Sequence, residues 1–86
     1  MQIRFHRKFK KQYKKLPVSA RQKFDSRLAI FIKTPFEQML ENHPLHGKYA
    51  NCRSINVTGN IRAIYEETKK NDIFFITIGT HAELYE

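Results

Sequence analysis

The chain has 86 residues, 16 Lys and Arg against 8 Asp and Glu, and one cysteine. That length holds one core and buries only about 60–65% of the surface its unfolded form exposes, so a simple fold and a single domain over residues 1–86 are expected. The lone Cys52 excludes an intrachain disulfide and argues against a thiolate zinc site, and no apolar run approaches the roughly 18 residues of a membrane span.

The N-terminus carries no apolar h-region between basic residues and a small-residue cleavage site, so the expected compartment is the cytoplasm. Charge is the most informative property. Residues 1–36 hold eleven basic residues and one acid, Asp25; residues 37–86 hold five basic residues and seven acids. A small chain that is net +8, with the excess in its first half, is expected to meet a polyanion or an acidic protein; the plain alternative is a solvated basic face that keeps it soluble.

In chain order, Met1, Ile3 and Phe5 alternate with polar residues and predict a short strand. His6 stands where a helix can begin. Phe9, Tyr13 and Leu16 then recur at one helical face, with Arg7, Lys8, Lys10, Lys11, Lys14 and Lys15 covering the other. Pro17 ends that helix. Ser19 and Gln22 have the spacing of a capping box for a second helix, whose predicted buried stripe is Ala20, Phe24, Leu28, Phe31 and Ile32. Thr34-Pro35 closes it. Residues 36–50 read as a loop, long enough to suspect function, carrying His43, Pro44, His46, Gly47 and Lys48.

Three strands follow at residues 51–57, 61–66 and 73–78. Thr58-Gly59-Asn60 predicts a turn using backbone that tolerates positive φ, and residues 69–72 predict a second tight turn. Gly79 is expected to bend the chain and release a tail with His81 and Tyr85. The order is β-α-α-β-β-β. The fold class is α+β: a helical hairpin packed on one face of a small, mainly antiparallel twisted sheet.

From residue 43 onward, His43-Pro44-Leu45-x-Gly47, Arg53-Ser54, Val57-x-Gly59-Asn60-x-Arg62-x-Ile64-Tyr65 and Ile78-Gly79-Thr80-His81-x-x-Leu84-Tyr85 occur in sequence. This combination resembles the RelE/ParE toxin superfamily, closest to its YafQ branch, the toxins of bacterial type II toxin–antitoxin pairs. The resemblance implies the RelE-like microbial RNase fold. It also implies a ribosome-dependent mRNA endoribonuclease that needs no metal or other cofactor. In that chemistry the ribose 2′-OH attacks the adjacent phosphate, leaving a 2′,3′-cyclic phosphate and a 5′-OH. The implied partners are a cognate antitoxin, the ribosome with its mRNA, and ribosomal RNA along the basic helices. Operator DNA is implied only through the antitoxin complex, and no membrane is implied.

The residue types suit this reaction independently. It needs a base, an acid, and cations for the charge developing on phosphorus. Histidine titrates near neutrality, and arginine stays charged and grips two oxygens. His81 matches the family's Gly-Thr-His histidine and is expected to move a proton; the plain alternative is a cap on the last turn. Arg62 is expected to hold the phosphate and stabilise the transition state, against an ion pair with Glu66 or Glu67. Tyr85 matches a terminal aromatic that stacks on a base or carries a proton, against a core anchor. His43 matches the histidine of His-Pro-Leu, against a loop residue bonded to backbone carbonyls. Arg53, Lys48, His46 and Asn60 are expected phosphate or RNA contacts, His46 without any family counterpart.

One departure stands out. Where YafQ-type sites carry a histidine and an aspartate, this chain has Asn56 and Asn60, and asparagine cannot transfer protons near neutral pH. Two other classes compete with the nuclease. One is a non-catalytic basic module acting in a toxin–antitoxin complex that represses its own operon. The other is a ParE-like inhibitor of DNA gyrase. His81 and Arg62 favour the nuclease.

Overall fold

Residues Gln2–Phe5 form the first strand, β1, and His6 begins the helix behind it as predicted, its Nδ1 accepting from the Lys8 amide at 3.0 Å. That helix is α1, Arg7–Lys15, followed by α2, Val18–Lys33. Four further strands complete the sheet: β2 (His43–Pro44), β3 (Cys52–Asn56), β4 (Ile61–Lys69) and β5 (Asp72–Thr80). The last helix is α3, His81–Tyr85, and single 3-10 turns occur at Gln38–Leu40 and Gly47–Tyr49. The computed structural model describes residues 1–85.

The sheet order is β1-β5-β4-β3-β2. All neighbours are antiparallel except β1 and β5, which run parallel with Phe5 opposite Phe75. The α+β class, with helices on a mostly antiparallel sheet, therefore stands, with two elements added: the short edge strand β2 and the terminal helix α3.

Both long helices pack on one face of the sheet. Phe9 of α1, Phe24 and Phe31 of α2, Tyr65 of β4 and Phe75 of β5 form the centre of the main core, with ring centroids 5.7 Å or less apart for Phe9–Phe24, Phe24–Phe75 and Phe31–Tyr65. Each such buried side chain contributes roughly 1.5–3 kcal/mol over its exposed state. The opposite face buries a smaller cluster, Cys52, Ile64 and Leu84, with Leu45, Tyr49 and Ile76 against it.

A bulge interrupts the β4–β5 ladder: Ile64 pairs with Thr77 but Tyr65 pairs with Phe75, leaving Ile76 as the extra residue. Gln12 of α1 repairs it. Its Oε1 accepts from both the Thr77 hydroxyl and the Ile78 amide at 3.0 Å, so the helix satisfies what the ladder does not.

Four local expectations change. Helix α2 starts at Val18 with Pro17 at its cap, no side chain making a cap bond, so the Ser19–Gln22 capping box is not formed. Pro17, with φ of −56°, sets the entry itself and carries Ser19 into the first turn. Ile32 is 49% exposed, because the stripe centres on Phe24 and Phe31 and leaves Ile32 at its edge. The turn at residues 58–60 uses no positive φ. Thr58 builds it instead, its hydroxyl accepting from the amides of Asn60 and Ile61 at 3.2 and 3.0 Å. Finally, Gly79 does not end the strand; it lies inside β5. The second tight turn is as predicted, with Asn71 at a φ of 64°.

Candidate active site under the C-terminal helix

Period-two alternation along β3, β4 and β5 decides which side chains meet α3. Cys52, Ser54 and Asn56 share one face of β3; Arg62 and Ile64 share that face of β4, since Asn56 pairs with Arg62 and Ser54 with Ile64. Arg62 in turn lies opposite Gly79. A Cβ at Gly79 would meet Glu83 Oε1 at 3.0 Å, so this row of the sheet faces α3. The glycine keeps that approach open.

Helix α3 is held by a capping box. Glu83 Oε1 accepts from the Thr80 amide at 2.7 Å, and Thr80 Oγ1 accepts from the Glu83 amide at 3.2 Å. The bond from the Thr80 amide holds the Glu83 carboxyl below its ordinary range. Leu84 buries itself against Ile64 and Cys52, and burial pushes the Cys52 thiol up, away from a reactive thiolate. The Thr-x-x-Glu spacing was present in the sequence; the expectation of a bend at Gly79 concealed it.

His81, the first residue of α3, is tied to the β3–β4 turn: its amide donates to the Asn60 carbonyl at 3.1 Å. The His81 ring lies 4.6 Å from the Tyr85 ring, one helical turn on. Tyr85 meets Tyr49 edge-on at 6.0 Å, and the Lys48 ammonium sits 5.3 Å from the Tyr49 ring centre. His81, Tyr85, Tyr49 and Lys48 thus form a continuous exposed-to-half-buried series. Tyr49 was not singled out in the sequence; an aromatic beside a cation in a long loop was the signal.

Arg62 donates through Nη1 to the carbonyls of Thr58 and Ile61 at 3.0 and 3.3 Å. It makes no ion pair with Glu66 or Glu67 among the described residues; the one described ion pair joins Arg4 and Asp72. The turn carbonyls hold one edge of its guanidinium, and Nε and Nη2 have no described partner. Asn60 contributes its backbone rather than its side chain. His43 shares the face of Ser54 on the outer strand, and its Nδ1 lies 2.8 Å from the Glu41 carbonyl. A carbonyl only accepts, so Nδ1 donates in this contact, and Nε2 is left free of it. His46 precedes the turn at Gly47–Tyr49, exposed, with no described side-chain bond.

Arg53 is not brought to this site. It lies one residue out of phase with Ser54, so it faces the helices. Its Nε donates to Asn42 Oδ1 at 2.7 Å, Asn42 Nδ2 donates to the Tyr65 hydroxyl at 2.8 Å, and its guanidinium lies over Phe36 at 5.0 Å. Arg53 anchors the loop after α2 instead of facing Arg62. Among the described residues no three His, Cys, Asp or Glu side chains converge to hold a metal ion, and no helix is long and apolar enough to cross a membrane.

This end of the sheet therefore carries a cation held by the turn, an amide beside it in the sheet, and an imidazole and a phenol on α3, groups that suit an anionic ester and proton transfer.

The family model described as "Bacterial toxin of type II toxin-antitoxin system, YafQ" matches residues 1–86. Among solved structures, YafQ from E. coli strain BL21(DE3) is 22% identical, with a TM-score of 0.79 over 99% of this chain and 98% of that one. A YoeB/ParE toxin from Agrobacterium tumefaciens is 19% identical, with a TM-score of 0.78 over 94% of this chain and 99% of that one. YafQ in the E. coli DinJ–YafQ complex is 24% identical, with a TM-score of 0.72 over 99% and 98%. No curated protein matches the chain.

Proposed function

The chain belongs to the YafQ family of bacterial type II toxin–antitoxin toxins, and from that premise we propose that it is a metal-independent endoribonuclease acting on mRNA in the ribosome. The observation that supports this reading is that the amide of His81, whose ring lies against Tyr85, bonds to the same turn whose carbonyls hold Arg62.

In this reading Arg62 binds the scissile phosphate through its free guanidinium edge. It stabilises the charge that builds on the equatorial oxygens. The 2′-oxygen loses its proton and bonds to phosphorus, and the P–O5′ bond breaks. The leaving oxygen takes a proton, giving a 2′,3′-cyclic phosphate and a 5′-OH. His81 moves a proton in this reading, a role that contributes roughly 10²–10⁴-fold. Tyr85 and Tyr49 offer aromatic faces to an unstacked base, and Lys48 supports the backbone. His43 presents Nε2 from the outer strand, and His46 lies beyond it.

The E. coli relative forms a complex with DinJ; by analogy a cognate antitoxin neutralises this chain in the cytoplasm. The exposed lysines of α1 suit an acidic, folding-on-binding antitoxin segment or ribosomal RNA. Operator DNA is then met only through the antitoxin complex.

Primer-extension mapping of cellular mRNA after induction tests this reading, comparing wild type with His81→Ala and Arg62→Ala. Discrete cuts are expected in wild type and are lost in both variants. Cuts that persist unchanged in both would remove these residues from the site. Growth arrest without cuts would replace the nuclease by a gyrase inhibitor.

A further inference from the structure

The antiparallel register of β2 and β3 extends beyond the paired residues. His43 faces Ser54 and Pro44 faces Arg53, so Glu41 falls opposite Asn56. The side chains meet there, Asn56 Nδ2 donating to Glu41 Oε2. One row thus crosses the sheet on the face under α3: Glu41, Asn56, Arg62, Gly79, with His81 just beyond.

Glu41 adopts a left-handed conformation, φ 46° and ψ 45°, which a side chain of this kind rarely takes. Such a conformation persists only where the surroundings hold it, and it is concentrated at functional sites. Here the carbonyl of Glu41 is held by His43 and its carboxylate by Asn56, on the site side of the loop. The carboxylate is exposed, and Oε1 has no described partner.

The other acids among the described residues do not offer this. Asp25 accepts from Tyr13, Glu37 from the Met39 amide, Glu67 from the Asn71 amide, Asp72 from Arg4 and Thr68, and Glu83 caps α3. Glu66 shares the strand of Arg62 but stands four residues along it, roughly 13 Å away. Neither Asn56 nor Arg62 accepts a proton at neutral pH.

We propose that Glu41 is a catalytic residue of this site, the proton acceptor for the attacking 2′-OH, with Asn56 as the positioning residue that aims it. The inference rests on the nuclease reading above. Glu41 lies on the β3 side of Arg62, and His81 follows β5 on its other side. The Glu41 carboxylate takes the 2′-OH proton as the O2′–P bond forms. The His81 imidazolium gives its proton to O5′ as the P–O5′ bond breaks. Solvent then returns both groups to their starting states.

Single-turnover cleavage of mRNA on programmed ribosomes tests this with wild type, Glu41→Gln, Glu41→Ala and His81→Ala. Glu41→Gln keeps an oxygen for Asn56 but cannot take the proton, so its rate falls about 10²-fold or more with ribosome binding unchanged. Added formate restores cleavage by Glu41→Ala in proportion to its concentration and leaves His81→Ala unrescued. A Glu41→Gln rate within about threefold of wild type, with His81→Ala inactive, overturns the assignment of Glu41 and leaves the nuclease reading standing. Loss of activity in Glu41→Ala that formate does not restore reduces Glu41 to a structural role and likewise overturns it. Failure of the wild type to cut at all overturns both.

Discussion

Thr80 and Glu83 exchange hydrogen bonds across the first turn of the last helix, at 2.7 and 3.2 Å, and the space they close over is the missing side chain of Gly79. Three residues thereby fix where His81 begins. Thr80→Ala removes one bond of the box and is expected to cost roughly 0.5–2 kcal/mol, read from the urea midpoint. Gly79→Ala should loosen the same turn by displacing the Glu83 carboxylate. In a Glu83→Ala background the added methyl has nothing to displace, so its destabilisation should largely vanish. Equal costs of Gly79→Ala in both backgrounds would place the clash elsewhere.

Tyr85 is 38% exposed between the rings of His81 and Tyr49. Tyr85→Phe keeps both ring contacts and removes only the hydroxyl. If the ring acts by stacking, cleavage by Tyr85→Phe stays within about threefold of wild type while Tyr85→Ala falls tenfold or more, the scale of a lost base–aromatic stack. A loss as large in Tyr85→Phe as in Tyr85→Ala would assign the phenol a proton-transfer role.

Gln12 joins α1 to the bulge in β5 through one oxygen that accepts twice. Gln12→Leu leaves the Ile78 amide and the Thr77 hydroxyl without their acceptor in a buried place. The expected cost is about 1–3 kcal/mol, measured by urea unfolding, with the Ile78 amide losing hydrogen-exchange protection first. Unchanged protection at Ile78 would show that the bulge does not depend on the helix.

Asp72 couples the first and last strands. Its carboxyl is held below the ordinary range, first by the Thr68 hydroxyl and then by Arg4. The folded state therefore binds that proton less readily than the unfolded chain. Its contribution is complete above the unfolded pKa and is lost as pH falls through the lowered folded value. Unfolding midpoints should fall for wild type below about pH 4, and less steeply for Asp72→Asn. Parallel curves for the two proteins would mean that other carboxylates dominate the acid transition.

The main helices and strands and their periods were legible in the residues alone, whereas the edge strand β2 and the helix α3 were not. Phe24, Leu28 and Phe31 mark a helix, the alternation along residues 61–66 marks a strand, and the motif residues His43, Arg62, His81 and Tyr85 carry the resemblance on which the proposed chemistry rests. These follow from neighbours along the chain, and local backbone geometry is the same wherever the segment lies. The tertiary structure alone decided which side chains share a face. Arg53 and Arg62 look equivalent in sequence, yet Arg53 lies out of phase with Asn56 and turns to the helices, whereas Arg62 pairs with Asn56 and turns to α3. The bond from Glu41 to Asn56 spans 15 residues, and the Gln12 contacts with Thr77 and Ile78 span 65 and 66. Period two fixes parity within one strand, but the register between strands is a non-local choice made by packing both faces of the sheet at once.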